Sequence, residues 1–75
     1  MVEYELIEEK DGKGLYRFWP ERDKEREGTF IYDYETGDFE CDDEMRKFPQ
    51  EWYLSHAIYA LREGRDREHS IAIWY

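Results

Sequence analysis

Alternation of apolar and charged residues near the start of the chain restricts its fold more than any other feature. Val2, Tyr4 and Leu6 alternate with Glu3 and Glu5, which is the period-two pattern of a strand with one buried and one wet face. Such strands belong to antiparallel sheets that are covered on one side only. The pattern therefore predicts an open antiparallel sheet that packs against something else.

Three further strands are predicted in sequence order. "KDGKG" supplies a glycine turn after the first strand, and Pro20 ends the second strand, "LYRFWP", because proline cannot donate to a strand ladder. "TFIYDY" and the short "DFEC" form a third and a fourth strand around the hairpin turn "YETGD". "ERDKERE" contains no apolar residue and is predicted to be an exposed connection. Four strands connected in this way make an antiparallel meander.

A helix is predicted from Pro49 to Glu63, with Gly64 at the position of a C-terminal cap. At 100° per residue, its main apolar residues fall within an arc of about 160°. These residues are Tyr53, Leu54, Ala57, Ile58, Ala60 and Leu61. The stripe is wide enough to face a core.

The length of this helix favours one arrangement of the strands. It spans roughly 22 Å, which is close to the width of four strands spaced about 4.8 Å apart. The helix can therefore cross one sheet face and place a fifth strand antiparallel to the first, in the order 4-3-2-1-5. The competing arrangement places the fifth strand parallel to the fourth through a right-handed crossover. The first arrangement is preferred, and the predicted fold is a single α+β domain over residues 1–75.

The fifth strand is predicted in "SIAIWY". Its alternating positions put Ser70, Ala72 and Trp74 on one face and Ile71, Ile73 and Tyr75 on the other. A strand with apolar groups on both faces needs cover on both. The helix covers one sheet face, and aromatic packing or a second subunit would cover the other.

Composition favours a small folded domain in the cytoplasm. The 75 residues include 14 aromatic residues, and each ring buries about 150–250 Å². Cys41 is the single cysteine, so an internal disulfide is impossible, which fits a reducing compartment. The start "MVEYELIEEK" lacks the pattern of a signal peptide, and no segment has the roughly 20 apolar residues of a membrane helix. No membrane association is expected.

Acidic residues dominate the surface charge, which is −9. Seven of them lie in a stretch that contains no basic residue: Asp33, Glu35, Asp38, Glu40, Asp42, Asp43 and Glu44. This acidic patch disfavours direct binding of nucleic acid and would attract a basic partner. Its simpler interpretation is solubility.

Catalytic and metal-binding patterns are weak. Neighbouring carboxylates disfavour a Cys41 thiolate, and His56 and His69 lie far apart in the sequence. Asp38 and Glu40 share a predicted strand face with Asp42, but a solvated face explains this better than a metal site. The sequence predicts no enzyme activity, no catalytic residues, no metal and no cofactor.

A second stripe on the predicted helix is the candidate partner surface. Trp52, His56, Tyr59 and Glu63 are spaced i, i+4, i+7 and i+11, at about 240–300° on the same helical wheel. One interpretation is that these rings pack locally under the charged connections. The other is an interface, because Trp and Tyr are frequent at interface hot spots.

Short motifs along most of the chain support a resemblance. "LYRFWPE", "YETGD", "YLSHAIYAL" and "IAIWY" resemble segments of a group of short acidic bacterial proteins of unknown function. The segment "CDDEMRKFPQEW" departs from that pattern. The resemblance implies one small α+β unit and transfers no catalytic residue.

Three functional hypotheses follow in order of preference. The first is a non-enzymatic cytoplasmic protein that binds a protein partner or forms a homodimer. The second is an acidic decoy that mimics nucleic acid and inhibits a basic protein. The third is a small metal-binding protein or enzyme.

Overall fold

A computed structural model describes residues 1–73. Its strands are β1 (Val2–Lys10), β2 (Lys13–Pro20), β3 (Gly28–Asp33), β4 (Phe39–Glu40) and β5 (His69–Ala72), and its α-helix is α1 (Gln50–Arg62). Short 3-10 turns lie at Lys24–Arg26 and Asp43–Arg46. All strand pairs are antiparallel, in the order β4-β3-β2-β1-β5. The predicted α+β fold and the preferred strand order are confirmed.

The first hairpin is longer and tighter than predicted. Its turn consists of Asp11 and Gly12 alone, with φ angles of 54° and 77°, and Lys10 pairs with Lys13 across it. Two consecutive positive φ angles match the right-handed twist of the flanking strands, so the ladder continues to the turn. A shift in register between Leu6 and Glu8 absorbs the extra length as a bulge.

Helix α1 begins one residue later and ends one residue earlier than predicted. Gly64 has a φ of 87° and ends the helix as expected. Its N–H donates to the Leu61 carbonyl at 3.1 Å, and the Arg65 N–H donates to the Ala60 carbonyl at 3.1 Å. These two bonds form a Schellman cap, which satisfies carbonyls at the helix end.

The core lies between α1 and one face of the sheet. The predicted apolar stripe of α1 is confirmed, except that Tyr53 is only partly buried. The buried core residues are Val2, Tyr4, Tyr16, Phe18, Phe30, Tyr32, Leu54, Ala57, Ile58, Ala60, Leu61 and Ala72. The long predicted helix therefore covers the meander and reaches β5.

The opposite sheet face is not covered by a helix. Trp19 on this face is nevertheless only 2% exposed, and the Lys24 ammonium lies 5.0 Å from its ring centroid. The charged connection after β2 is exposed as predicted, but it also shields this tryptophan. Farther along the face, Arg17 forms an ion pair with Glu5 at 2.9 Å.

Strand β5 pairs with β1 along its whole length, from Val2 opposite Ala72 to Glu5 opposite His69. The prediction that this segment is an integral strand is confirmed as far as Ala72. Trp74 and Tyr75, which the prediction also included, lie outside the described residues.

Candidate functional site

Exposed apolar side chains gather on one side of the molecule. Within residues 1–73, six large apolar side chains are exposed, and four of them lie along the side of α1 or directly after β5. Phe48 is 82% exposed, Trp52 52%, Tyr59 61% and Ile73 60%. We call Phe48, Trp52, His56, Tyr59 and Ile73 the aromatic patch. A soluble domain does not need such a cluster to fold.

Two depressions connect the members of this patch. A groove of about 440 Å³ lies between α1 and β5, and His56, Tyr59, Ala60, Glu63, Ala72 and Ile73 are among its lining residues. A smaller depression of about 230 Å³ lies nearer the helix start, beside Phe48 and Trp52. Both depressions include Ser55 and His56. The patch is therefore one continuous, indented surface.

The four residues of the candidate partner surface lie close together because their spacing places them on one side of a helix. The rings of Trp52 and His56 are 5.8 Å apart, one turn from each other. Tyr59 and Glu63 are hydrogen-bonded one turn later, which raises the pKa of the Tyr59 hydroxyl. The structure therefore places all four residues of the candidate partner surface along one side of α1. Their role in binding stays a prediction.

The surroundings of His56 lower its pKa and so favour the neutral imidazole. Partial burial lowers its pKa, and the positive charge of the chain's amino terminus lowers it further. Burial disfavours the charged imidazolium because water no longer solvates it fully. A positive charge on His56, in the middle of the aromatic patch, is therefore disfavoured.

Sequence reasoning missed Phe48 and Ile73 as members of this surface. Phe48 precedes Pro49, just ahead of the helix, and an exposed aromatic at that position cannot be distinguished from a buried one by periodicity. Ile73 was expected to lie inside a longer strand, whereas β5 ends at Ala72. Ile73 joins the patch because the fold brings β5 beside α1, whereas Phe48 joins it through its place beside the first turns of α1.

The residues of the acidic patch belong to several consecutive elements, and Asp33, Asp38 and Glu40 line one shallow depression. The patch residues follow the end of β3, the hairpin turn, β4 and the 3-10 turn at Asp43–Arg46. The Asp33 carboxylate accepts hydrogen bonds from the N–H groups of Glu35 at 2.8 Å and Thr36 at 3.2 Å. These bonds lower the pKa of Asp33, and they give that carboxylate a structural task in the turn.

Basic side chains lie beside some of these acids. Lys13 is paired with Asp33 in the sheet and lines a shallow depression with Asp38 and Glu40. Lys47 forms an ion pair with Glu44 at 3.1 Å. The stretch has no basic residue in sequence, yet the fold supplies bases beside it. The hypothesis that these acids mimic the phosphates of a nucleic acid stays a prediction.

The described residues offer little chemistry for catalysis. Burial, together with Asp42 and Asp43, raises the pKa of the Cys41 thiol, so the thiolate is disfavoured as expected. His69 lies 2.7 Å from a Glu3 carboxylate oxygen, at the far end of β5 from the helix stripe. In residues 1–73, no group of three or more His, Cys, Asp or Glu side chains is arranged to hold a metal ion.

Comparisons with known proteins supply no relative. No family model, curated protein or solved structure matches this chain. The resemblance to short acidic bacterial proteins therefore stays a prediction. No helix within the described residues has both the length and the apolar character needed to cross a membrane.

Proposed function

We propose that this chain is a non-enzymatic protein–protein interaction module that acts in the cytoplasm. Its contact surface is the aromatic patch, which binds either a protein partner or a second copy of the chain. The observation that supports this most is the clustering of Phe48, Trp52, Tyr59 and Ile73, each more than half exposed, around two adjoining depressions.

Energetic considerations support the same surface. Burying an exposed aromatic ring in an interface removes a large apolar area from water at a modest cost in side-chain entropy. The groove between α1 and β5 gives these rings a concave setting, where a partner side chain can be enclosed. The opposite sheet face, by contrast, carries the Glu5–Arg17 ion pair and the hydrogen bond between Glu3 and His69.

Substitution of the two exposed rings on α1 tests the proposal. Trp52→Ala combined with Tyr59→Ala should weaken association by about tenfold or more, since truncation of a hot spot costs about 2 kcal/mol or more. The melting temperature should change little because both side chains are largely exposed. Light scattering after size-exclusion chromatography measures self-association, and quantitative affinity purification from lysate measures partner recovery.

The matched control is Ile7→Ala combined with Ile31→Ala, which removes exposed apolar side chains elsewhere on the molecule. This control should keep the mass and the partner recovery of the wild type. The proposal is wrong if the wild type is monomeric at high micromolar concentration and the Trp52 and Tyr59 variant recovers the same proteins in the same amounts.

A further inference from the structure

We infer that the occupant of the aromatic patch is an extended, lysine- or arginine-rich segment of a partner protein. The segment adds a sixth strand antiparallel to β5, with its apolar side chains in the groove beside α1. This inference rests on the proposed function and names the class of partner.

Backbone alternation leaves hydrogen-bonding groups of β5 pointing outward. The Leu6 N–H donates to the Glu68 carbonyl at 2.7 Å, in the register that pairs Tyr4 with Ser70 and Val2 with Ala72. In an antiparallel pair, alternate residues face the partner strand. The backbone N–H and C=O groups of Ser70 and Ala72 therefore point toward β1, whereas those of Ile71 point away from it. Beyond β5, the described part of the chain supplies no further strand.

The two edges of the sheet differ in their protection. The β4 edge is only two residues long, and very short edge strands are a common protection against unwanted pairing. The sequence of β5 is HSIA, with no lysine and no proline, and its pairing with β1 runs without a shift in register. Lysine, proline and bulges are the other usual protections of an edge. The edge beside the aromatic patch is thus the one that remains open to an added strand.

The groove supplies side-chain recognition next to this edge. Ala72 and Ile73 form its β5 wall, and Tyr59 and Ala60 form its α1 wall. A strand docked against β5 would place alternate side chains toward α1 and the others toward the uncovered face. Main-chain hydrogen bonds between the added strand and β5 then contribute affinity, and the groove selects apolar side chains at every second position of that strand.

Charge favours a basic partner over a second copy. The chain carries a net charge of −9, so two copies repel each other. Glu63 lines the groove and Glu68 directly precedes β5. Both are outside the ion pairs formed within residues 1–73, as is the neighbouring Arg67. Arg65 is the arginine that lines the groove. The attraction for lysine or arginine side chains therefore comes from the net charge of the whole molecule.

Peptide binding tests this inference. The probe is a peptide of about eight residues that alternates lysine and valine and is capped at both ends. A control of the same composition carries its lysines and valines in two blocks. Fluorescence anisotropy should show binding of the alternating peptide at least about tenfold tighter than binding of the block peptide. Binding should weaken as salt rises from about 50 to about 300 mM.

N-methylation of the peptide tests strand addition directly. Paired residues of antiparallel strands share a face, and Ile71 lies on the face away from α1. The peptide residues that bond to β5 are therefore the lysines when the valines fill the groove. Methylation of the lysine nitrogens should abolish binding, whereas methylation of the valine nitrogens should preserve it. Loss on valine methylation would contradict the antiparallel arrangement, and insensitivity to both would exclude strand addition.

A variant of the protein gives the reciprocal test. Ile71→Pro removes the outward N–H and leaves the β1 ladder intact, since edge strands accept proline at such positions. It should weaken peptide binding by about tenfold, whereas Ile71→Ala, the control for the lost side chain, should bind like the wild type. If circular dichroism shows that Ile71→Pro is unfolded, the methylated peptides decide the question alone.

The outcomes separate this inference from the proposed function. If no peptide binds but the Trp52 and Tyr59 variant loses its natural partner, the interaction surface stands and strand addition is wrong. If dimer formation by the wild type increases with salt and the alternating peptide does not compete with it, the occupant is a second copy, which would overturn the inference.

Discussion

A chain of aromatic contacts links the meander strands at the level of single residues. The Tyr16 ring stacks on Phe30 with centroids 5.2 Å apart and meets Tyr4 edge-on at 5.7 Å. Its hydroxyl lies 2.7 Å from the Tyr34 hydroxyl, and burial raises its pKa far above the usual range for tyrosine. A neutral, buried phenol therefore depends on Tyr34 for its hydrogen bond.

Removal of the Tyr34 hydroxyl and removal of the Tyr16 hydroxyl should lower the free energy of unfolding by different amounts. Tyr34→Phe leaves the fully buried Tyr16 without its hydroxyl partner, which should cost about 1–3 kcal/mol of unfolding free energy. Tyr16→Phe should cost less, because the half-buried Tyr34 can turn to water. Urea unfolding of both variants measures the difference. Equal losses, or a larger loss for Tyr16→Phe, would contradict this assignment.

At the level of elements, periodicity predicted most of the fold. Alternation identified the strands, the apolar arc identified α1, and the helix length selected the strand order. The bulge after Leu6 and the 3-10 turn at Asp43–Arg46 were not predicted. A bulge of this kind has no characteristic amino-acid composition. The 3-10 turn has no buried residue, so its sequence shows no periodic apolar positions. For the site, the sequence indicated Trp52 and Tyr59, and the predicted strand order placed β5 at an edge, but the groove beside it depends on how α1 packs against the sheet.

Gly28 lies where the 3-10 turn at Asp43–Arg46 packs against the sheet. A Cβ at Gly28 would overlap the Met45 sulfur and lie 3.0 Å from Phe18 Cε1. Gly28→Ala should therefore destabilise the protein by about 1–3 kcal/mol through overpacking. Chemical unfolding of Gly28→Ala, Met45→Ala and the double variant measures the coupling. If the Met45 side chain causes the overlap, the double variant should lose less unfolding free energy than the sum of the losses of the single variants. Strictly additive losses would show that Met45 does not contact residue 28.

At the level of the whole molecule, the fold is asymmetric around its sheet. Helix α1 and the core occupy one face, ion pairs and the shielded Trp19 occupy the other, and the two edges differ in length. The net charge of −9 would repel a second copy of the chain and attract a basic partner. The aromatic patch and the open β5 edge lie together at one side, and this combination is the basis of the proposed binding role.

Amide hydrogen exchange along β5 in the free protein is the most direct test of this account. The N–H groups of Ser70 and Ala72 face β1 and should exchange slowly, whereas the N–H of Ile71 should exchange rapidly because it faces solvent. NMR exchange rates at low protein concentration resolve the three positions. An Ile71 amide as protected as that of Ser70 would show that the edge is already paired, and would contradict the account.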